Sequence, residues 1–299
     1  MRIFVTGSTG FIGSAVVREL LDTGHAVTGL ARSESSAQWL KKTGAAIHAG
    51  SLEDIDSLKR GADSADAVIH IAFAHNFSDF GAAVETDRRA IEALGEALAG
   101  SGRPFIVTSG VPAGKNGHTV TESDDSDPAL FPRLSEAAAL PFAKRGVRVS
   151  VIRPSRLVHG EGDTHGFIPQ FIDIARKTGV SAYAGNGRNR CQAAHRLDVA
   201  HLFCLALEKG VAGARYQAVA DAGIAFRAIA EAIGGGLNIP VISIPAEEAV
   251  NHFGFPGQIM GIDNPASSEI TQKTLGWHPT HPSLLQDLSS DCYFAQTDF

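Results

Sequence analysis

The segment "VTGSTGFIGSAVVREL", residues 5–20, decides how the rest of the chain is read. It opens on the end of an apolar run and closes on Ile12, Val16 and Leu20, which share one helical stripe. Between them stands Gly7-x-x-Gly10-x-x-Gly13. Gly7 permits a tight turn, Gly10 lets backbone approach a ligand, and Gly13 lets the helix pack on the strand. The helix start adds free N–H groups and a partial positive charge, which suit a pyrophosphate. A glycine turn between strand and helix predicts a dinucleotide site made by Gly7, Thr9, Gly10, Phe11, Ile12 and Gly13.

Outward from this turn, short apolar runs alternate with helical patterns. Strands are predicted at 2–6, 26–30, 46–48, 67–72, 105–108 and 148–152, and helices at 11–22, 35–42, 55–60, 80–99 and 134–144. Pro141 should kink or shorten the last of these helices. This alternation predicts an α/β fold: a Rossmann-type, doubly wound parallel sheet. After Pro154 the rhythm changes to shorter helices and loops, with one more strand at 214–220. The division predicted is a dinucleotide-binding domain of 1–154 with 211–221, and a smaller interleaved C-terminal substrate lobe of 155–210 and 222–299.

The bulk numbers exclude several classes. A formal charge of −6 argues against a nucleic-acid partner, which would need a basic face. Three cysteines, Cys191, Cys204 and Cys292, have neither disulfide nor metal spacing, which fits a reducing compartment. No signal peptide and no bilayer-spanning run is visible, so a cytoplasmic protein without a membrane partner is expected. The sequence leaves a homodimer open.

Individual residues suggest chemistry. Arg32 and Ser33 follow the second strand, where NAD-preferring sites carry an acid on the ribose 2′-hydroxyl. An arginine there suits a 2′-phosphate, so the cofactor expected is NADP(H). In the helix at 80–99, Asp87 shares a stripe with Val84, Ile91, Leu94 and Leu98, and so points inward. A carboxylate there must be hydrogen-bonded or paired, or have a raised pKa that would make it a proton donor. His75, just past a strand's C-terminal edge, and His159, after another, are further acid candidates or polar loop residues. His195 and Asp198 are expected to fix a helix entry.

The segments "TGSTGFIG" (6–13), "AVIHIA" (67–72), "VTSG" (107–110), "RPSRLVHGEG" (153–162) and "GNGRNRCQAAHRLDVA" (185–200) carry a resemblance. The chain resembles the extended short-chain dehydrogenase/reductase group, the NAD(P)-dependent epimerase/dehydratase-like proteins. The resemblance implies that Ile71, Ala72 and Phe73 line the ribose and pyrophosphate. It places Ser51 and Leu52 beside the adenine, and Pro154 and Ser155 by the nicotinamide carboxamide. It puts Thr108 and Ser109 at the substrate-orienting Ser/Thr, Asp87 at an active-site asparagine, His159 at a frequent tyrosine, and Arg190 at a substrate arginine. Glu136 falls on the family's helix glutamate. The family's Tyr/Lys pair then falls near Pro128 and Pro132, and the chain's only tyrosines are Tyr183, Tyr216 and Tyr293. This departure marks the chain as an atypical member of the group.

The reading is an NADP(H)-dependent oxidoreductase acting on a small or medium carbonyl or alcohol, with a non-standard proton donor and no metal. A nucleotide-sugar epimerase or dehydratase is the second enzyme reading, weakened by the missing tyrosine. A non-catalytic redox sensor that binds NADP(H) is the reading from another class.

Overall fold

Apolar runs bounded by turn residues become strands here because helices cover both faces of the sheet they form. The computed structural model describes residues 1–74, 79–114, 117–127, 132–254, 256–257, 261–290 and 292–294. In chain order the first part runs β1 (Arg2–Thr6), α1 (Phe11–Asp22), β2 (Ala26–Ala31), α2 (Glu34–Thr43), β3 (Ala46–Ala49), α3 (Ile55–Asp63), β4 (Ala67–His70), α4 (Phe80–Leu98), β5 (Pro104–Thr108), α5 (Ser135–Ala139) and β6 (Arg148–Pro154). The second part runs β7 (Leu157–His159), α6 (Phe167–Thr178), β8 (Ser181–Ala184), β9 (Arg190–His195), α7 (Arg196–Lys209), β10 (Arg215–Ala218), β11 (Asp221–Ala225), α8 (Phe226–Leu237), β12 (Val241–Ile244), α9 (Ala249–Phe253), α10 (Glu269–Leu275) and α11 (Leu284–Leu288).

Among the described residues the main sheet has seven parallel strands in the order β10-β6-β5-β4-β1-β2-β3. The order reverses between β1 and β4, so a crevice opens beyond their carboxyl ends, where ligands bind in such sheets. One face buries Ile3, Val5, Val16, Leu20 and Ile69 under α1 and α7. The other buries Phe4, Leu58, Val68, Ile91, Phe105 and Phe142 under α3, α4 and α5.

Three differences from the sequence reading have physical causes. The predicted helix at 134–144 is α5 followed by a 3₁₀ turn at Leu140–Arg145, because Pro141 cannot continue an α-helical ladder. The strand predicted at 67–72 stops at His70, where the chain leaves the sheet beside Gly7. Residues 196–209, expected in the smaller lobe, form α7 and pack on α1, with Val199, Leu202, Phe203 and Ala206 in the main core. Their apolar residues surround the helix rather than forming one stripe, as burial between two layers requires.

A second core gathers Leu157, Phe171, Ala193, Phe226, Ile233, Phe253 and Leu288. Over it lie a sheet of order β11-β9-β7 and the pair β12-β8, which the sequence reading did not contain. A buried ion pair ties α5 to the end of β6 in the main sheet. Arg153, fully buried at the end of β6, donates from Nε to Glu136 Oε1 at 2.7 Å and from Nη2 to Oε2 at 2.8 Å. Arg153 Nη2 also donates to the Asp124 carbonyl at 2.9 Å, and Arg215 Nε reaches Glu136 Oε2 at 3.1 Å.

Candidate active site

The glycine turn shows why those residues stand where they do. Gly7 has φ +69°, and a Cβ on it would lie 2.6 Å from Ala72 N, so β4's exit passes directly over the turn. A Cβ on Gly13 would lie 1.9 Å from the Gly7 carbonyl. Gly10 is exposed, and the nearest atom to a Cβ there is Gly7 O at 3.4 Å. It caps α1 without a side-chain acceptor, and no acid stands in the helix's first turn. The N–H groups at Phe11, Ile12 and Gly13 are therefore available to an anion, and half-buried Ile71, Ala72 and Phe73 border the same crevice. These residues fit the pyrophosphate of a dinucleotide.

Toward β2, Arg32 is exposed and Ser33 caps α2, its hydroxyl accepting from Ser36 N at 3.2 Å. Ser33 Oγ lies 2.9 Å from Ser35 Oγ, and Thr9 Oγ1 lies 3.3 Å from Ser36 Oγ. The hydroxyls thus join the α2 N-terminus to the glycine turn. Ser51 and Leu52 are half-buried on the far side. The Ser51 hydroxyl, a backbone N–H and the Arg32 charge hold the Glu53 carboxyl below its usual range.

Across β4 and β5 lies a buried polar chain. Asp87 is 1% exposed. It accepts from Ser135 Oγ at 2.6 Å, meets His70 Nε2 at 3.0 Å, and has the Arg133 guanidinium at 3.8 Å. His70 Nδ1 meets Thr6 Oγ1 at 2.8 Å. Arg133 donates to the Thr108 carbonyl at 3.0 Å, the Ser109 carbonyl at 3.0 Å and Ser135 Oγ at 2.8 Å. Its guanidinium lies over the Phe73 ring at 4.2 Å. The hydroxyls of Thr108 and Ser109 are buried and have no partner among the described residues.

Burial disfavours the Asp87 charge, but the His70 and Ser135 hydrogen bonds and the Arg133 charge outweigh it. The carboxyl is held below its ordinary value, the reverse of what a proton donor requires. The sequence reading missed His70, Arg133 and Ser135. The one signal for them was His70 itself, a polar residue closing a wholly buried strand.

Asp87→Asn is therefore expected to act on stability, costing roughly 1–3 kcal/mol at neutral pH through lost charge-assisted bonds. Because the folded pKa is depressed, this contribution is present above the unfolded carboxylate pKa of about 3.9 and lost as pH falls through the folded value. Urea unfolding at pH 7 and at pH 3 checks it. An alkaline limb in the activity profile that disappears in Asp87→Asn would instead make Asp87 the acid.

The other candidates are dispersed. His159 is no loop residue: it is fully buried in β7, with Nδ1 at 2.6 Å from Asp287 Oδ2. His195 caps α7, accepting from Leu197 N at 3.3 Å, and its ring stacks on His281 at 4.9 Å. Asp198 reaches away from the helix start to accept from Thr280 N at 2.9 Å and His281 N at 3.1 Å. Pro154 is buried, and Ser155 spends its hydroxyl on the Ala218 carbonyl at 2.7 Å. Arg190 is paired with Asp263 at 2.9 Å. Tyr216 is buried with its hydroxyl accepting from Val211 N at 3.0 Å, and Tyr293 donates to Asp163 at 3.1 Å. Tyr183 lies on β8 beneath Arg227. His75 and Pro128 lie outside the described residues. Among the described residues no group of three or more His, Cys, Asp or Glu side chains could hold a metal ion, and no helix is long and apolar enough to cross a membrane.

Known proteins are similar to this chain. "Uncharacterized protein C2A9.02" of Schizosaccharomyces pombe is 51% identical over 296 residues, covering 98% of this chain and 100% of that one. The 4-hydroxy-2-methyl-3-oxo-4-farnesyl-3,4-dihydroquinoline-1-oxide ketoreductase of Stigmatella aurantiaca is 29% identical over 275 residues, 85% of this chain and 80% of that one. The crystal structure of gox2253 superposes with a TM-score of 0.81 at 22% identity, covering 99% and 98% of the two chains, which shows a common fold. The model of the NAD dependent epimerase/dehydratase family matches residues 3–219, from β1 to just past β10. With the glycine turn, the switch-point crevice and this match in agreement, the chain belongs to the NAD dependent epimerase/dehydratase family.

Proposed function

We propose that the protein is an NADP(H)-dependent oxidoreductase acting on a small or medium carbonyl or alcohol. The observation that carries the cofactor choice is the set of donors at the start of α2. Arg32 is exposed beside the hydroxyls of Ser33, Ser36 and Thr9, and Ala31, Arg32 and Ser33 occupy the end of β2 where an NAD-preferring site carries an acid. A 2′-phosphate accepts from such a set, and an arginine fork adds charge-assisted bonds. The similarity to a ketoreductase supports carbonyl chemistry.

NADPH, when bound, supplies a hydride. The chain's own residues hold the turn at Gly7–Gly13 against the pyrophosphate and keep Ile71, Ala72 and Phe73 along the ribose. Thr108 and Ser109 hold the substrate oxygen with hydroxyls that have no partner among the described residues. Arg133 fixes the backbone that carries both, and Asp87 keeps Arg133 and Ser135 in place. The smaller C-terminal lobe is the part of the chain left to select the substrate.

Titration of NADPH and NADH by fluorescence tests the reading. NADPH is expected to bind more tightly, and Arg32→Ala to lose roughly 1.5–3 kcal/mol for NADPH alone. Equal affinities in the unaltered protein would remove the 2′-phosphate site. NADPH consumption against a panel of carbonyls then separates an enzyme from a protein that only binds the cofactor.

A further inference from the structure

A half-buried cation just after the end of β6 has no counter-ion among the described residues. Arg156 follows Ser155 immediately before β7. It is half-buried, it forms no ion pair among the described residues, and its Nη1 is buried with no acceptor. Its neighbours are not left so: Arg153 has Glu136, Arg190 has Asp263, and Arg196 donates to the Glu161 carbonyl and Ser14 Oγ. Its side chain meets the Cys191 thiol. Burial pushes that thiol up to about 11, so it is neutral and supplies no compensating charge.

Register orders the side chains that follow Arg156. Leu157 stands opposite Ala193, and Val158 opposite Ala194. Side chains alternate along a strand. Leu157 and Ala193 enter the core of the smaller lobe, while Val158 and Ala194 pack on the main core. Gln192 shares the face of Ala194 on β9, toward the main sheet, and Arg156, between the end of β6 and the start of β7, meets Cys191 beside it. Gln192 is fully buried, and its Nε2 has no partner. On the adjoining strand end, Ser109 N donates to Ile152 O at 2.8 Å and Val111 N to Pro154 O at 3.2 Å, which brings the free hydroxyls of Thr108 and Ser109 to the same edge.

We propose that Arg156 and Gln192 form an anion-recognising subsite that selects a carbonyl substrate bearing a carboxylate, an oxo acid. A guanidinium fork and an amide N–H are donors only, and a planar pair of carboxylate oxygens accepts from both. One full cation beside one neutral amide matches a single negative charge, whereas a phosphoryl dianion would leave charge uncompensated. The substrate class rests on the oxidoreductase reading above; the anion subsite does not.

The test uses the whole protein. NADPH consumption is compared for oxo acids and their amides of equal chain length. The acids are expected to give the higher kcat/KM by on the order of 100-fold, and Arg156→Gln to collapse that ratio through KM. Arg156→Lys, which keeps the charge without the fork, is expected to fall between and serves if Arg156→Gln does not fold. In parallel, propionate, inorganic phosphate and UDP-glucose are titrated by calorimetry, with and without NADP⁺. Propionate binding that depends on Arg156 supports the subsite even if no carbonyl is reduced. Neutral carbonyls reduced as well as the acids, or phosphate or UDP-glucose bound in preference to propionate, would overturn it while leaving the oxidoreductase reading intact.

Discussion

Glu136→Ala is expected to lower the free energy of unfolding by about 3–5 kcal/mol, because it strands a buried guanidinium. Arg153 is fully buried and has both of its carboxylate bonds on this one residue. Arg215 loses a bond at the same time. The Asp124 carbonyl still accepts from Arg153, but a carbonyl carries no charge to offset the cation. Glu136→Gln keeps the shape and one acceptor and should recover only part of the loss. Replacing Arg153 and Glu136 together by apolar residues of similar volume should recover more than either single change, since the desolvation cost disappears with both charges. Thermal unfolding reads the effect as a fall in Tm of roughly 5–8 °C for Glu136→Ala. A loss below about 1 kcal/mol would show that the pair is solvated in solution.

Gly10→Val is expected to weaken cofactor binding by on the order of 100-fold or more while leaving the protein folded. The nearest atom to a Cβ at Gly10 is Gly7 O at 3.4 Å, an ordinary contact, so the backbone tolerates a side chain. The branched methyl groups would stand over the uncapped N–H groups of α1, in the space a pyrophosphate needs. Gly13→Ala is the opposite case: its Cβ would lie 1.9 Å from the Gly7 carbonyl, so the turn itself must open and stability should fall. Calorimetric titration with NADPH and urea unfolding of both variants separate the two effects. Normal NADPH affinity in Gly10→Val would place the cofactor elsewhere.

Local patterns reported well what local physics controls. The glycine spacing, the strand-helix alternation and the inward stripe of α4 each depend on residues within about two turns of one another, and period alone carries them. The sheet of β11, β9 and β7 was not legible. Its strands hold Arg190, His159 and His195 where an apolar alternation would be read, and their pairings span long stretches of chain.

Asp87 marks the boundary between the two kinds of information. Its stripe on α4 was enough to determine that it points inward. Whether it holds a proton was settled by His70, 17 residues before it, and Ser135, 48 residues after it, together with the Arg133 charge. A side chain's direction follows from its own helix, whereas its ionisation depends on every dipole and charge that the fold brings to face it. The same holds for Arg156: the sequence determined that an arginine follows the end of β6, and only the tertiary structure decided that no carboxylate among the described residues meets it.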